Sequence, residues 1–265
     1  MRRGVEMGEM TGIYIFLGFW LGACLGSFIN AAAMRTVAEK KWWGSERSVC
    51  DSCGRVLTAP DLIPVISYLV LQGRCRSCRE KIAPRHFFAE CGSGVLGALF
   101  VWKFGLTPAL AFSFLALPFL LFHTLTDLET GYIYDAWSLA MALSGLALRL
   151  WGGVPALIDG VIGASIGGVL IVAIILLSRG GMGIGDATMM AGIGAIFGWK
   201  MTILCLYAGF MCGGVVVVPL LLAKKVSRKD AVPLGPFLAA GCIVAIFSAE
   251  YIFARFGHVL PWPWL

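Results

Sequence analysis

Long apolar stretches alternate with short polar ones along almost the whole chain. The first run, at about residues 10–34, exceeds the roughly 7–15-residue core of a cleavable signal peptide, so we expect a permanent span. Its Gly18, Gly22 and Gly26 recur every four residues, a pattern that lets a second helix approach closely. Further apolar runs lie at about residues 87–102, 106–126, 136–151, 156–178, 187–199, 201–223 and 233–253.

Several of these runs approach the roughly 20 residues that a helix needs to cross a hydrocarbon core of about 30 Å. The runs that end near Trp102, Trp151 and Trp199 are shorter. The pattern therefore predicts an all-α polytopic membrane protein with about eight transmembrane helices, and counts of seven or six stay open. The lipid bilayer is its first expected partner.

The longest polar stretch separates the first apolar run from the second and holds ten of the 21 Lys and Arg residues. The chain is 59% hydrophobic and 14% charged, with a mean hydropathy of +0.86, whereas soluble domains have roughly 25% charged residues. Because basic loops stay on the cytoplasmic side, we interpret the net charge of +6 as an orientation signal and expect no nucleic-acid partner. The predicted parts are a first span (10–34), a cytoplasmic insert (35–86) and a transmembrane core (87–265).

The nine cysteines fall into two groups. Five lie singly in apolar runs, where we expect them to be small buried side chains. The other four form two Cys-x-x-Cys pairs in the insert, 21 residues apart, which suits tetrahedral thiolate ligation of Zn²⁺. Four thiolates leave no open position for water, so this zinc would be structural. A redox pair or two disulfides are the alternatives, and a reducing cytoplasm disfavours disulfides. The predicted zinc ligands are Cys50, Cys53, Cys75 and Cys78.

Two acidic residues lie where apolar runs meet polar segments. Asp127 follows the third run, and Asp186 follows the glycine-rich segment that contains Gly183 and Gly185. Carboxylates are costly at membrane depth and are functional candidates there. Eight alternating spans place both on one face of the membrane, where they could share a proton and activate water for peptide hydrolysis. The alternative is that each merely ends a helix at the interface, with Asp186 as an N-cap.

Three further acids are weaker candidates for the site. Glu129 and Asp135 flank Asp127 in sequence and could position substrate or the positive charge of a leader, unless they are solvated loop acids. Glu90 opens the second run and could bind a substrate amine or a cofactor, or anchor its helix at the interface.

These residues together resemble the type IV prepilin peptidases, a bacterial branch of the GxGD intramembrane aspartyl proteases. The resemblance covers nearly the whole length of the chain. A GxGD motif alone would be weak evidence, whereas the ordered series of matching segments is specific. Tyr134, Thr188 and His86 depart from the family pattern, since Pro, Lys and Tyr are usual there. The matching segments are 26–30, both Cys-x-x-Cys pairs, 61–68, 73–78, 85–90, the Asp127 segment, 183–186 and 233–237.

The resemblance implies that Asp127 and Asp186 are the catalytic pair. It also implies an inner-membrane location and substrates that are type IV prepilins or type II secretion pseudopilins, cut after a short basic leader. Many family members methylate the new N-terminus from S-adenosylmethionine, an activity tied to the zinc-bearing half, and we expect it here on that likeness alone. The alternatives are a peptidase without methyltransferase activity and a non-enzymatic membrane carrier or scaffold. A carrier would need acids deeper in the spans or repeat symmetry.

Overall fold

The computed structural model of the chain describes residues 2–41, 47–178, 182–225, 232–257 and Pro263, with side chains from Thr11 onward. Two short 3₁₀ segments, Ala59–Asp61 and Leu150–Gly152, accompany the α-helices. The α-helices are α1 (Arg2–Val37), α2 (Ile66–Val70), α3 (Pro84–Phe104), α4 (Pro108–Thr130), α5 (Asp135–Arg149), α6 (Gly153–Leu177), α7 (Ile184–Phe197), α8 (Trp199–Leu222) and α9 (Gly235–Arg255).

Each of the eight predicted apolar runs forms a helix, so the all-α prediction is confirmed. Among the described residues, six segments are long and apolar enough to cross a membrane, and one of them, Asp135–Leu177, contains both α5 and α6. The helix α7 has 14 residues and is about 21 Å long at 1.5 Å per residue, shorter than a hydrocarbon core of about 30 Å. In the part of the chain that the structure describes, β-structure is limited to two isolated bridges in the insert.

The chain divides into two compact units, Met1–Leu106 and Thr107–Leu265. In the first unit α1 packs along α3, and the glycine stripe of α1 faces small residues of α3. A methyl group on Gly18 would lie 2.8 Å from the carbonyl oxygen of Gly97, and one on Gly22 would overlap the carbonyl oxygen of Ser93. The predicted close approach therefore occurs within this unit. The boundaries drawn at residues 35 and 87 stay predictions.

The insert between α1 and α3 is organised around one carboxylate, that of Asp61. Arg76 Nε donates to its Oδ1 at 2.7 Å, and Thr58 Oγ1 and Arg55 Nη2 donate to its Oδ2 at 2.8 and 3.2 Å. The Asp61 side chain is only 4% exposed. The hydrogen bond from Arg76, followed by those from Thr58, lowers the pKa of Asp61 to about 2. Since Arg55 and Arg76 belong to different halves of the insert, Asp61 joins them.

In the second unit α6 packs on α7, α8 on α9, and α4 contacts α5, α7 and α9. One end of this bundle is fixed by the fully buried Arg149. Its guanidinium donates to Asp159 Oδ2 and the Ala156 carbonyl oxygen at 2.8 Å and to the Ile196 carbonyl oxygen at 3.1 Å. Three helix ends are thereby held together.

Candidate active site

Asp127 lies in the last turn of α4 and is 5% exposed. The helix ends three residues later because Gly131 adopts a left-handed conformation (φ +67°) and donates its N–H to the Asp127 carbonyl oxygen. The Asp127 Oδ2 accepts a 2.7 Å hydrogen bond from the N–H of Gly235, the first residue of α9. A methyl group on Gly235 would lie 2.8 Å from the same oxygen, so glycine permits this close approach.

Asp186 lies in the first turn of α7 and is 7% exposed. Its Oδ2 accepts the N–H of Gly183 at 3.2 Å. Gly183 is the N-cap and Asp186 the third helical residue, so Asp186 reaches back to the N-cap N–H and is not itself the N-cap that the alternative predicted. Gly185 packs on Ile133, whose Cβ would be 2.8 Å from an added methyl group. The glycine segment therefore brings the α7 N-terminus directly against the loop that follows α4.

Asp127 and Asp186 both belong to the second unit. Their helices α4 and α7 are in contact, and the carboxylate of Asp127 acts electrostatically on that of Asp186. Two neighbouring carboxyl groups shielded from solvent disfavour simultaneous ionisation and tend to share one proton. Such a pair can deprotonate a water molecule with one carboxylate and donate a proton with the other.

Asp135, the exposed first residue of α5, is tied to α7. Its Oδ1 accepts a 2.8 Å hydrogen bond from Thr188 Oγ1, which also lies 2.9 Å from the Gly185 carbonyl oxygen. Asp135 thus contacts the α7 N-terminus, whereas Glu129 is exposed at the end of α4. The hydroxyl of Thr188 links the start of α5 to the turn that carries Asp186.

Several residues near the pair received no role in the sequence analysis. Gly235 belongs to the matched segment 233–237, and that match was the only available signal for it. His123, one turn before Asp127, is fully buried, and its Nε2 lies 3.3 Å from Ser138 Oγ. Among the described residues, His123 Nδ1 has no hydrogen-bond partner. The four-residue spacing places His123 on the same helix face as Asp127, but spacing alone does not indicate that it is buried.

The four predicted metal ligands converge in the insert. The sulfur atoms of Cys50, Cys53, Cys75 and Cys78 all lie within 4.8 Å of one another, and Cys50 Sγ and Cys78 Sγ are 3.9 Å apart. A tetrahedron with metal–sulfur distances of about 2.3 Å has sulfur–sulfur edges of about 3.8 Å. The four cysteines could therefore hold a metal ion.

Without a cation, the thiol pKa values of Cys75 and Cys78 shift in opposite directions. The N–H groups of Cys78 and Ser77 lower the pKa of Cys75 to about 6. The Glu80 backbone also favours the Cys78 thiolate, but desolvation and the neighbouring sulfurs outweigh it and raise its pKa to about 11. Sulfur atoms this close cannot all ionise readily unless a cation lies between them.

Glu90, the remaining candidate, lies in α3 of the first unit. Its carboxylate accepts Ser27 Oγ on one oxygen and the N–H of Val65 on the other, both at 2.7 Å. Val65 has a positive φ of +62°, which is strained for a β-branched residue. Glu90 therefore joins α1, α3 and the insert.

Comparison with known proteins gives matches over both units. Residues 20–104 match the bacterial peptidase A24 N-terminal domain, and residues 114–218 match the type IV leader peptidase family. Proteins named "Prepilin leader peptidase/N-methyltransferase" are similar over most of their length. The one from Burkholderia pseudomallei is 33% identical, with 93% of this chain and 89% of the relative aligned. Those from Pseudomonas putida and Aeromonas salmonicida are 30% and 28% identical, with 91% of this chain aligned to 93% and 92% of the relative. No solved structure is significantly similar to the chain.

Proposed function

Because the chain belongs to the type IV leader peptidase family and is a prepilin peptidase of that kind, we propose that it is an aspartyl endopeptidase with Asp127 and Asp186 as the catalytic pair. Its substrates are type IV prepilins or pseudopilins, from which it removes the basic leader. The observation that carries the proposal is that two shielded carboxylates, those of Asp127 and Asp186, lie on helices that contact each other, with the Gly235 N–H donating to the first. The relatives' printed names supply the substrate class.

In the proposed mechanism the pair holds one proton. The ionised carboxylate takes a proton from a water molecule as the water oxygen attacks the scissile carbonyl carbon. The protonated partner then donates to the carbonyl oxygen, and later proton transfer to the amide nitrogen releases the new amino terminus. This is general acid–base catalysis without a covalent intermediate. The proton belongs to the pair and not to one aspartate, because a coupled pair titrates as a unit.

We further propose that cleavage occurs at the cytoplasmic interface of the inner membrane. Asp127 stands in the last turn of α4, and Asp186 in the first turn of α7. Both therefore lie at helix ends, where water and an extended substrate segment have access. The ten basic residues between Arg35 and Arg85 support a cytoplasmic insert. In this scheme residues 35–86 form the zinc-binding insert and residues 87–265 include the peptidase core.

We propose that the metal held by the cysteine cluster is Zn²⁺ and that its role is structural. The four sulfurs would complete the coordination shell, so zinc supplies folding energy to a short insert without acting on substrate. We propose that Glu129 and Asp135 position the substrate or the positive charge of its leader. Gly183 and Gly185 would shape the backbone that carries Asp186.

N-methylation of the new amino terminus from S-adenosylmethionine is a second proposed activity. The observation that favours it is the N-methyltransferase part of the relatives' names, together with alignment across the first unit. A peptidase without this activity is the alternative, and the two are separated by the mass of the cleaved product.

The test is cleavage of a purified prepilin in detergent by wild type, Asp127→Asn and Asp186→Asn. Each variant should lose at least about 100-fold in kcat/KM, because general acid–base catalysis contributes about 10²–10⁴-fold. Glu250→Gln is the matched control, since this exposed acid of α9 is about 22 Å along the helix from Gly235. Undiminished cleavage by either folded Asp variant would refute the dyad. Addition of one methyl group to the product, detected by mass spectrometry with S-adenosylmethionine present, tests the second activity.

A further inference from the structure

A short segment of the polar insert, residues 62–70, exposes large aliphatic side chains. Its exposed members are between 42% and 71% accessible to solvent, and they recur every three or four residues along α2 and the turn before it. This spacing places them on one helical face. An exposed apolar cluster beside polar residues marks an interaction surface. The exposed side chains are Leu62, Ile63, Ile66, Leu69 and Val70.

Other groups of the 62–70 segment are fixed to the helices that flank the insert. The N–H of Val65 donates to one oxygen of the Glu90 carboxylate at 2.7 Å, and the other oxygen accepts Ser27 Oγ. The ring of Tyr68 stacks on that of Phe87, with centroids 5.0 Å apart. The segment is therefore attached to the side of α3, and through Glu90 to α1.

These attachments set the height of the segment relative to a bilayer. The helix α3 has 21 residues and is about 31 Å long, just enough to cross a hydrocarbon core of about 30 Å. Phe87 and Glu90 lie about 4.5 and 9 Å along α3 from Pro84. A segment bound to both lies beside the outer part of the span, and interfacial helices bury their apolar face to a similar depth of about 5–10 Å. At the same level of α3, Phe88 is also exposed.

A basic stretch follows the aliphatic face directly. Residues 74–85 contain five Lys or Arg residues and one acid, Glu80. Arg74, Arg79 and Lys81 are exposed, and Arg74 pairs with Lys81 in a β-bridge close to the end of α2. Basic side chains next to an inserted apolar face are attracted to anionic lipid headgroups.

We propose that the 62–70 segment is an interfacial anchor whose partner is an anionic lipid surface. Its aliphatic side chains enter the boundary between headgroups and acyl chains, and Arg74, Arg79 and Lys81 face the lipid phosphates. A lipid partner is favoured over a protein partner because the depth set by Phe87 and Glu90 and the adjacent positive charge both match a bilayer surface. The insert is thereby held against the membrane by its own contact with lipid. This proposal does not depend on the peptidase or the methyltransferase activity.

The experiment measures the depth of single positions in the full-length protein, reconstituted in vesicles of phosphatidylcholine and phosphatidylglycerol. A fluorescent amino acid replaces Val70 in one protein and Glu39 in another, and quenching is measured with acyl-brominated lipid and with aqueous iodide. Glu39 is the control, because it is exposed and follows the end of α1. The α1 terminus, Val37, is about 15 Å along the helix from Ser27, which hydrogen-bonds to Glu90. Brominated lipid should quench position 70 several-fold more strongly than position 39, and iodide should show the reverse order.

Two further proteins guard against a local effect of the label. The same label at Ile66, one turn earlier on the same face, should also be quenched by brominated lipid. Leu69→Asp in the Val70-labelled protein should reduce that quenching, because a carboxylate is costly in hydrocarbon. Ser52→Asp, at an exposed position outside the segment, should leave it unchanged. Vesicles of phosphatidylcholine alone should quench position 70 less, since the basic residues lose their anionic partner.

Two results would overturn the proposal. Strong quenching by iodide and weak quenching by brominated lipid at both Ile66 and Val70 would mean that the segment lies in water. Weak quenching by both agents would mean that a protein surface covers it. Equal quenching of position 70 with and without phosphatidylglycerol would overturn the role given to the basic residues.

Discussion

The two glycines before Asp186 are predicted to differ sharply in their tolerance of alanine. An added Cβ on Gly185 would lie 2.8 Å from Ile133 Cβ and 3.2 Å from the Ile133 carbonyl oxygen. Neither atom is the end of a flexible side chain, and Ile133 is itself buried, so the backbone on one side must move. The nearest atom to a Cβ on Gly183 is Asp186 Oδ2 at 3.7 Å, an ordinary contact, and Gly183 is in an extended conformation open to any residue.

The cost of the Gly185→Ala contact can be estimated from overpacking in protein interiors, about 1–3 kcal/mol. If that free energy is needed to reach the geometry in which the aspartates meet, kcat/KM falls by roughly 5- to 160-fold at about 1.36 kcal/mol per factor of ten. Gly183→Ala keeps the N–H that donates to Asp186. It should lose less than about fivefold, the lower end of the range for Gly185→Ala, because its methyl group meets Asp186 Oδ2 only at an ordinary contact distance of 3.7 Å.

The assay is prepilin cleavage in detergent at several substrate concentrations, with melting temperature and zinc content as folding controls. Gly185→Ala should lower kcat with wild-type zinc content, since the insert belongs to the other unit. Equal activity of the two alanine variants, or a larger loss for Gly183→Ala, would refute the conclusion that the contact between Gly185 and Ile133 sets the position of Asp186.

Three further changes test other contacts. Gly235→Ala should reduce kcat/KM at least about tenfold, because its methyl group would lie 2.8 Å from Asp127 Oδ2 and small displacements of reacting groups are costly. Thr188→Val should reduce kcat/KM about tenfold in the same assay, because it removes a hydrogen bond to the carboxylate of Asp135. Asp61→Asn should destabilise the insert, measured by denaturant unfolding. Because the folded pKa of Asp61 is lowered to about 2, its contribution is complete above about pH 4 and is lost as pH falls through about 2.

Two of these changes have a matched control variant, and Asp61→Asn is tested by a comparison of two pH values. Gly214→Ala adds a methyl group to α8 with no heavy atom within 4 Å and should cleave at the wild-type rate. Thr188→Ser keeps the hydroxyl and should restore most of the activity lost in Thr188→Val. If the unfolding difference between wild type and Asp61→Asn is the same at pH 2 as at pH 7, the ion-pair account of Asp61 is wrong.

Local patterns predicted the helices and the cysteine cluster well. A run of apolar residues forms a helix in a membrane because its backbone groups have no other partners there, and each of the eight runs does so. The Cys-x-x-Cys pairs are also local, and their sulfurs meet as predicted. The number of spans was harder to predict, because α7 is short and because only a 3₁₀ turn separates α5 from α6.

These local patterns did not predict contacts between segments that are distant in sequence. Gly235 meets Asp127 across 108 residues, and no periodicity relates the two positions. Arg149 lies near the end of an apolar run, where no local pattern indicates a partner, yet it is buried and joins three helix ends. Asp61 appeared only as part of a matched segment, although four donors converge on it in the structure. In each case a polar group finds its partner through tertiary packing.

The assembly of the aspartate pair from helix ends explains how negative charge can be tolerated there. Asp186 lies in the first turn of α7, and Asp127 accepts the first N–H of α9. The N-terminus of a helix carries a partial positive charge and unpaired N–H groups, so both carboxylates face stabilising ends. Asp127 itself stands near the C-terminus of α4, where the helix dipole is unfavourable to an anion. The stabilising N-termini and the unfavourable α4 C-terminus together favour a pair that carries one negative charge over a pair that carries two. The singly charged pair is the state that the proposed acid–base hydrolysis requires. Displacing the α9 N-terminus should therefore impair catalysis even when both aspartates are retained.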